Sequence, residues 1–146
     1  MVASLILLRH GQTDYNAEGR FQGQADIPLN ELGRSQARAA AEALAGSGID
    51  RIVSSDLARA YETAQALAAR TGAGLEADPL LREISVGEWQ GRTRSEIAEI
   101  WPDQLAAWQS GVDMRPPGGE SRRESAARVV AAIREIVAGA GAEETL

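Results

Sequence analysis

Hydrophobic residues form three short runs in the first half of the chain. Residues 2–8 are apolar at nearly every position, a pattern typical of a strand buried on both faces of a parallel sheet. Residues 49–54 and 75–77 predict a second and a third strand. The first run carries no basic region and no small-residue cleavage site, so we interpret it as a strand and not as a signal peptide.

Capping residues, glycine stops and apolar spacing predict helices between and after these runs. They are expected over residues 31–44, 57–71, part of 92–108, and 121–138. Asn30 and Asp56 are the predicted N-caps of the first two helices, and Thr93 or Ser95 lies near the start of the third. Residues 11–28 and 114–119 are predicted loops. The last helix has an apolar stripe formed by Val129, Val130, Ile133, Ile136 and Val137.

The alternation of strands and helices predicts an α/β fold, a three-layer, doubly wound and mostly parallel sheet, in a single domain over residues 1–146. Ligands bind to such folds beyond the carboxyl ends of the strands. His10 follows the first predicted strand, Ser54, Ser55 and Arg59 follow the second, and Glu83 lies several residues after the third. We therefore expect these polar groups to meet at one edge of the sheet.

Composition and charge narrow the classes of function. Hydrophobic residues make up 44% of the chain, which is typical of a globular protein. The absence of cysteine excludes disulfides, thiolate catalysis and zinc–thiolate sites. The net charge is −6 and all 15 basic residues are arginine, so an anion needs a local arginine cluster to bind. We expect no nucleic-acid or membrane partner, a cytoplasmic location, and a homodimer as an open possibility.

An ordered set of motifs carries a resemblance to a known family. Residues 9–16 read RHGQTDYN, residues 54–60 read SSDLARA, residues 81–83 read LRE, and residues 117–121 read PGGES. In this order and context they resemble the histidine phosphatase superfamily, also called the phosphoglycerate mutase-like family. Residues 11–16 and 52–57 are most similar to the actinobacterial glucosyl-3-phosphoglycerate phosphatases of that family.

The resemblance implies a metal-independent phosphomonoesterase that needs no cofactor and acts on a small phosphorylated metabolite. His10, the only histidine of the chain, would attack phosphorus and become phosphohistidine. Glu83 would protonate the leaving oxygen and later activate water. The phosphate oxygens would be bound by Arg9, Asn16, Gln22, Gly23 and Arg59. Arg9 and Arg59 would also favour the neutral form of the nucleophile.

Several other interpretations remain open on the sequence. Asn16, Gln22 and Gly23 are also ordinary loop residues, and Glu83 and Arg59 are also ordinary surface charges. Trp89, Trp101 and Trp108 are expected to pack and not to bind substrate. One alternative function is that of a cofactor-dependent phosphoglycerate mutase, which is an isomerase. The other is a non-catalytic binder of phosphorylated ligands or an inactive fragment.

One element of the family pattern is absent from the sequence. The family carries a second catalytic histidine after a strand that lies inside the sheet, and this chain has no second histidine. We therefore expect the sequence to be a truncated form of a longer protein. The alternatives are that another copy donates the strand, or that the sheet is rearranged around an inert site.

Overall fold

The computed structural model describes Val2 and residues 4–146, which form helices around a small parallel sheet. The elements in chain order are α1 (Asp14–Glu18), α2 (Glu31–Leu44), β1 (Arg51–Ser54), α3 (Ala58–Thr71), β2 (Gly74–Ala77), α4 (Arg94–Ile100), α5 (Pro102–Gln109) and α6 (Arg122–Ala138). Short 3-10 turns at Pro79–Leu81 and Gly87–Trp89 lie between β2 and α4. None of the helices formed by the described residues is long and apolar enough to cross a membrane.

The strands β1 and β2 pair in parallel, with Arg51 opposite Gly74 and Ser54 opposite Ala77. Helix α3 connects them, as the predicted strand–helix–strand order requires, and it packs against α2. The buried residues of this half form one cluster: Ala41, Ile49, Ile52, Ala64 and Leu67. The second and third predicted strands and the helices on either side of β1 are confirmed, and the fold has the expected α/β character.

The prediction of a first strand over residues 2–8 is wrong, because the described residues of this segment form no regular strand. Ser4 forms an isolated parallel bridge with Thr145, and the amide of Ile6 donates to the carbonyl of Leu146 at 2.7 Å. Leu7 is 77% exposed. An apolar run is buried on both faces only where neighbouring strands and helices cover it, and the pairing with residues 145–146 reaches only as far as Ile6. Ala3, which also belongs to the predicted strand, lies outside the described residues.

Residues 145 and 146 lie between residues 4–6 and the start of β1. The amide of Leu146 donates to the carbonyl of Ser4 at 3.0 Å, and the amide of Asp50 donates to the carbonyl of Thr145 at 3.0 Å. Leu146 is 8% exposed. The segments on either side of residues 145 and 146 continue beyond them as residues 5–10 and 52–55, and both line the same cavity.

Asp56 is not the N-cap of α3, which corrects the sequence prediction. The N-cap residue is Leu57, and its side chain makes no capping hydrogen bond. A carboxylate from the loop between α1 and α2 serves instead, because Asp26 accepts from the amide of Ala58 at 2.7 Å. The Asp56 carboxylate is free for an ion pair with Arg82, which lowers the pKa of Asp56 chiefly through that hydrogen bond.

Two other predicted segments are divided differently in the structure. The predicted loop over residues 11–28 contains α1, which Thr13 begins with a capping box. The predicted helix within residues 92–108 is broken at Trp101, because Pro102 lacks the amide that would continue α4 and instead occupies the first turn of α5. Thr93 caps α4, and Gly72 ends α3 in the left-handed conformation as expected.

A second hydrophobic cluster lies beside the 3-10 turn at Gly87–Trp89. Trp89 is fully buried, and its ring meets those of Phe21 and Trp108 edge to face at 5.7 and 5.6 Å. Trp101 packs against the same cluster, so the packing role predicted for the three tryptophans is confirmed. Helix α6 confirms the last predicted helix and begins after a capping box at Ser121, although Val130 of its stripe is 45% exposed.

Candidate active site

A cavity of about 500 Å³ lies at the carboxyl end of β1. Its polar lining comes from the three segments that the sequence predicted to converge. These are the segment after the first apolar run, the turn from β1 into α3, and the loop after β2. The candidate residues that line it are Arg9, His10, Asn16, Gln22, Ser54, Ser55, Arg59 and Glu83.

The position of His10 is set by close contact between two glycine backbones. A Cβ on Gly11 would lie 2.3 Å from the carbonyl oxygen of Gly33, and a Cβ on Gly33 would lie 2.0 Å from that of Gln12. The amide of Gly11 also donates to the hydroxyl of Thr63 in α3 at 3.1 Å. Glycine at both positions therefore lets the loop that carries His10 pack directly on α2 and α3.

One imidazole nitrogen of His10 is occupied by its own backbone. Nδ1 lies 2.6 Å from the carbonyl oxygen of Gly11, which only accepts hydrogen bonds, so Nδ1 carries the proton. The neutral ring consequently has its lone pair on Nε2. Burial lowers the pKa of His10, while the hydrogen bond to Gly11 raises it. The Arg59 cation lowers the pKa, the Glu83 carboxylate raises it, and Arg9 lowers it further, with a net shift below the ordinary value.

Arg59 is buried, with 1% of its side chain exposed, and three oxygens hold its guanidinium. It donates to the carbonyls of Gly23 at 2.7 Å and Ala25 at 2.8 Å. It also donates to Oε2 of Glu83 at 2.9 Å, and that carboxylate is 45% exposed. Two of the three partners are neutral, so much of the positive charge of Arg59 is available to an anion in the cavity.

Asn16 and Gln22 are oriented by Thr13, a fully buried residue. The Thr13 hydroxyl lies 2.5 Å from Oε1 of Gln22 and 3.1 Å from Oδ1 of Asn16, and the Thr13 amide donates to the same Asn16 oxygen at 3.0 Å. Because Thr13 engages the oxygens of both side-chain amides, their NH₂ groups are the ends left to donate to a ligand.

Of the two remaining predicted ligands, Arg9 lines the cavity and Gly23 does not. Arg9 is exposed. Gly23 is buried behind Arg59 and supports that side chain through its carbonyl. Its φ is +53°, and a Cβ there would lie 2.6 Å from Cγ2 of Val86, so the position requires glycine.

Sequence reasoning missed the residues that support these side chains. Thr13 precedes Asn16 by three residues, the spacing of a capping pair, and that signal was available in the sequence. Glu120, just before α6, and Arg128, within α6, fix the loop of Glu83 through hydrogen bonds to its backbone atoms, which leave no pattern to detect in the sequence. Across Val2 and residues 4–146, no group of three or more histidine, aspartate and glutamate side chains is placed to hold a metal ion.

Curated relatives with about half of their aligned residues identical to this chain are phosphatases by name. The glucosyl-3-phosphoglycerate phosphatase of Mycobacterium tuberculosis (strain ATCC 25618 / H37Rv) is 50% identical over 134 residues, which are 92% of this chain and 60% of that protein. The enzyme of the same name from Mycolicibacterium vanbaalenii is 48% identical over 136 residues, with 93% and 60% covered. The chain therefore spans about 60% of the length of these relatives.

Solved structures and a family profile agree with these similarities. A mycobacterial glucosyl-3-phosphoglycerate phosphatase in complex with VO3 superposes with a TM-score of 0.84 at 50% identity, covering 90% of this chain and 65% of that one. Bacillus stearothermophilus YhfR superposes with a TM-score of 0.87 at 32% identity, covering 97% and 71%. The profile of the histidine phosphatase superfamily (branch 1) matches residues 5–146. The chain belongs to the histidine phosphatase superfamily.

Proposed function

We propose that the cavity is the site of a phosphomonoesterase that works through a phosphohistidine at His10, without a metal ion. The observation that carries the proposal is the state of His10. Its Nδ1–H is bound to the Gly11 carbonyl and its pKa is lowered, so a neutral ring with a lone pair on Nε2 lines a cavity next to Arg59. An imidazole in that state is a nucleophile near neutral pH.

In the first half-reaction, the Nε2 lone pair of His10 attacks phosphorus and the P–O bond to the alcohol breaks. The Arg59 guanidinium and the NH₂ groups of Asn16 and Gln22 hold the non-bridging oxygens, whose charge must be stabilised during the transfer. Glu83 gives its proton to the departing ester oxygen, so the alcohol leaves neutral.

In the second half-reaction, Glu83 takes a proton from water and the oxygen of that water attacks the phosphorus of phosphohistidine. The P–N bond breaks and the electron pair returns to Nε2 of His10. The net change is ester plus water to alcohol plus inorganic phosphate, with Glu83 protonated again. One carboxyl thus serves as acid and then as base, so it must reach both the ester oxygen and the water. The 45% exposure of Glu83 is consistent with that reach.

The proposed substrate class is a small phosphorylated sugar or sugar acid. The support is the name of the relatives at 48–50% identity, glucosyl-3-phosphoglycerate phosphatase, together with the solved complexes of such a protein with VO3 and with inorganic phosphate. Relatives named as probable phosphoglycerate mutases are 39% to 43% identical. Dependence of activity on 2,3-bisphosphoglycerate would favour that alternative.

The decisive experiment is phosphate release from p-nitrophenyl phosphate and from 3-phosphoglycerate esters in EDTA, for the chain and for His10→Ala. We expect release by the unaltered chain alone, and an acid-labile phosphoryl adduct after rapid quenching. The control is Arg70→Met, which removes an exposed arginine near the end of α3 that pairs with Glu42 and does not line the cavity. Loss of activity in EDTA contradicts the metal-free mechanism. Phosphate binding that survives His10→Ala, without turnover in the parent, favours a non-catalytic binder.

A further inference from the structure

The loop that carries Glu83 has little regular structure of its own. Residues 82–86 lie between the two 3-10 turns and belong to no helix or strand. Glu83 is exposed and held at its tip by Arg59. A carboxyl in a loop keeps one position only where other contacts fix the backbone on either side of it.

Helix α6 supplies those contacts through Arg128. Its Nη1 donates to the carbonyls of Leu80 at 2.7 Å and Arg82 at 2.9 Å, and its Nη2 lies 3.4 Å from the carbonyl of Glu83. A single planar guanidinium therefore reaches three carbonyls within four residues of the loop. Arg128 is mostly buried, with 19% of its side chain exposed.

Glu120 completes the arrangement by holding both Arg128 and the far side of the loop. Its two oxygens pair with Arg128 at 3.0 and 2.8 Å, in a fork that fixes the plane of the guanidinium. The same carboxylate accepts from the amide of Ser85 at 2.9 Å, and the amide of Glu120 donates to the carbonyl of Ser85 at 2.8 Å. The Arg128 hydrogen bond is the main reason that the pKa of Glu120 is lowered, so the pair is ionised at neutral pH.

We propose that Arg128, oriented by Glu120, is a positioning residue that places the Glu83 carboxyl beside His10 and Arg59. The inference rests on the proposed function for its catalytic consequence, since it assigns how the acid–base group of that site is held. Arg128 itself does not line the cavity and acts only through the backbone of residues 80–85.

The test uses the single histidine of the chain, because one imidazole proton resonance then reports the pKa of His10 by NMR. The Glu83 carboxylate raises that pKa, so Glu83→Gln must lower it. We expect Arg128→Met to lower it in the same direction, because the carboxylate moves away. Removal of the Arg128 cation alone would raise the pKa, so the sign separates displacement of Glu83 from simple loss of charge.

A double-variant comparison completes the test. In the Glu83→Gln background, Arg128→Met should no longer lower the pKa of His10, since Arg128 acts through Glu83. Arg115→Met is the matched control, because Arg115 forms a forked pair with Glu124 at the start of the same helix. If Arg128→Met leaves the His10 pKa unchanged, raises it, or shifts it equally in both backgrounds, the inference is overturned. Should that variant not fold, Arg128→Lys keeps the charge without the fork and is expected to shift the pKa in the same direction by less.

Turnover provides a second readout that a general loss of stability would not imitate. An alkyl phosphate needs its leaving oxygen protonated more than p-nitrophenyl phosphate does. Arg128→Met should therefore lower kcat about 10- to 100-fold for the alkyl ester, with little change in KM. The rate of the p-nitrophenolate burst should fall by a smaller factor. An equal loss for both substrates contradicts the inference. The NMR titration requires no turnover, so an inactive parent chain with the expected pKa shifts contradicts the proposed function alone.

Discussion

Replacing Thr13 with valine tests whether one buried hydroxyl organises the side-chain amides of Asn16 and Gln22, which are proposed to bind phosphate. Valine has nearly the shape of threonine, so the change removes the hydroxyl and its hydrogen bonds. Loss of the N-cap bond to the amide of Asn16, 3.1 Å long, costs about 1 kcal/mol. Gln22 is only 6% exposed, and leaving its Oε1 without the donor at 2.5 Å costs about 1–2 kcal/mol more. The expected loss of folding stability is about 2–3 kcal/mol.

Chemical denaturation of Thr13→Val beside Thr13→Ser measures this loss. Serine keeps the hydroxyl and loses one methyl group, worth about 1 kcal/mol, so the valine variant should unfold at the lower denaturant concentration. The same comparison applies to inorganic phosphate, whose Kd should rise about tenfold in the valine variant because the Gln22 amide is no longer held with its NH₂ toward the cavity. Equal midpoints for the two variants would refute the reasoning.

Three further predictions follow from the surroundings of His10. Gly33→Ala should destabilise the fold by about 1–3 kcal/mol in denaturation, because the added Cβ would lie 2.0 Å from the Gln12 carbonyl. Gly46→Ala, with open space around its Cβ, should not destabilise it. Arg9→Gln should raise the pKa of His10 in an NMR titration, because the Arg9 cation lowers it. In the folded protein the pKa of His10 is lower than its ordinary value of 6.5, so below pH 6.5 protons bind more readily to the unfolded chain. The contribution of His10 to the free energy of unfolding is therefore fully present above pH 6.5 and is lost as the pH falls through the pKa of the folded state. Thermal scans of His10→Gln should lack that step.

The helices and the two paired strands could be predicted because their signals are local. Asn30 caps α2 at the residue predicted, and Gly72 ends α3 in the conformation that favours glycine. Each such signal depends on a few neighbouring residues and on backbone geometry that context alters little. The catalytic candidates could be placed together for the same reason. Each follows a predicted strand, and the carboxyl ends of parallel strands lie at the same edge of the sheet.

The failures concern interactions between residues distant in sequence. Asp56 is a residue type typical of an N-cap, but Asp26 reaches the start of α3 from the loop between α1 and α2, and the Asp56 carboxylate pairs with Arg82. The first apolar run has the composition of a buried strand, but burial depends on which segments lie on either side of it. Arg128 was missed for a related reason, because an arginine that binds carbonyls of a remote loop has no recognisable pattern of partners.

The way each arginine is held explains how an acidic chain can provide a site for an anion. Arg82 and Arg115 are each paired with a carboxylate through two nitrogens, so their charge is largely neutralised and their role is to fix the fold. Arg59 differs because two carbonyls hold it and its one carboxylate partner, Glu83, is nearly half exposed. Carbonyls fix the direction of a guanidinium without cancelling its charge. In the proposed mechanism, a phosphate in the cavity would meet an oriented cation that is already desolvated. It would compete with Glu83 for Arg59, and the carboxyl that is proposed to move the proton would then be released.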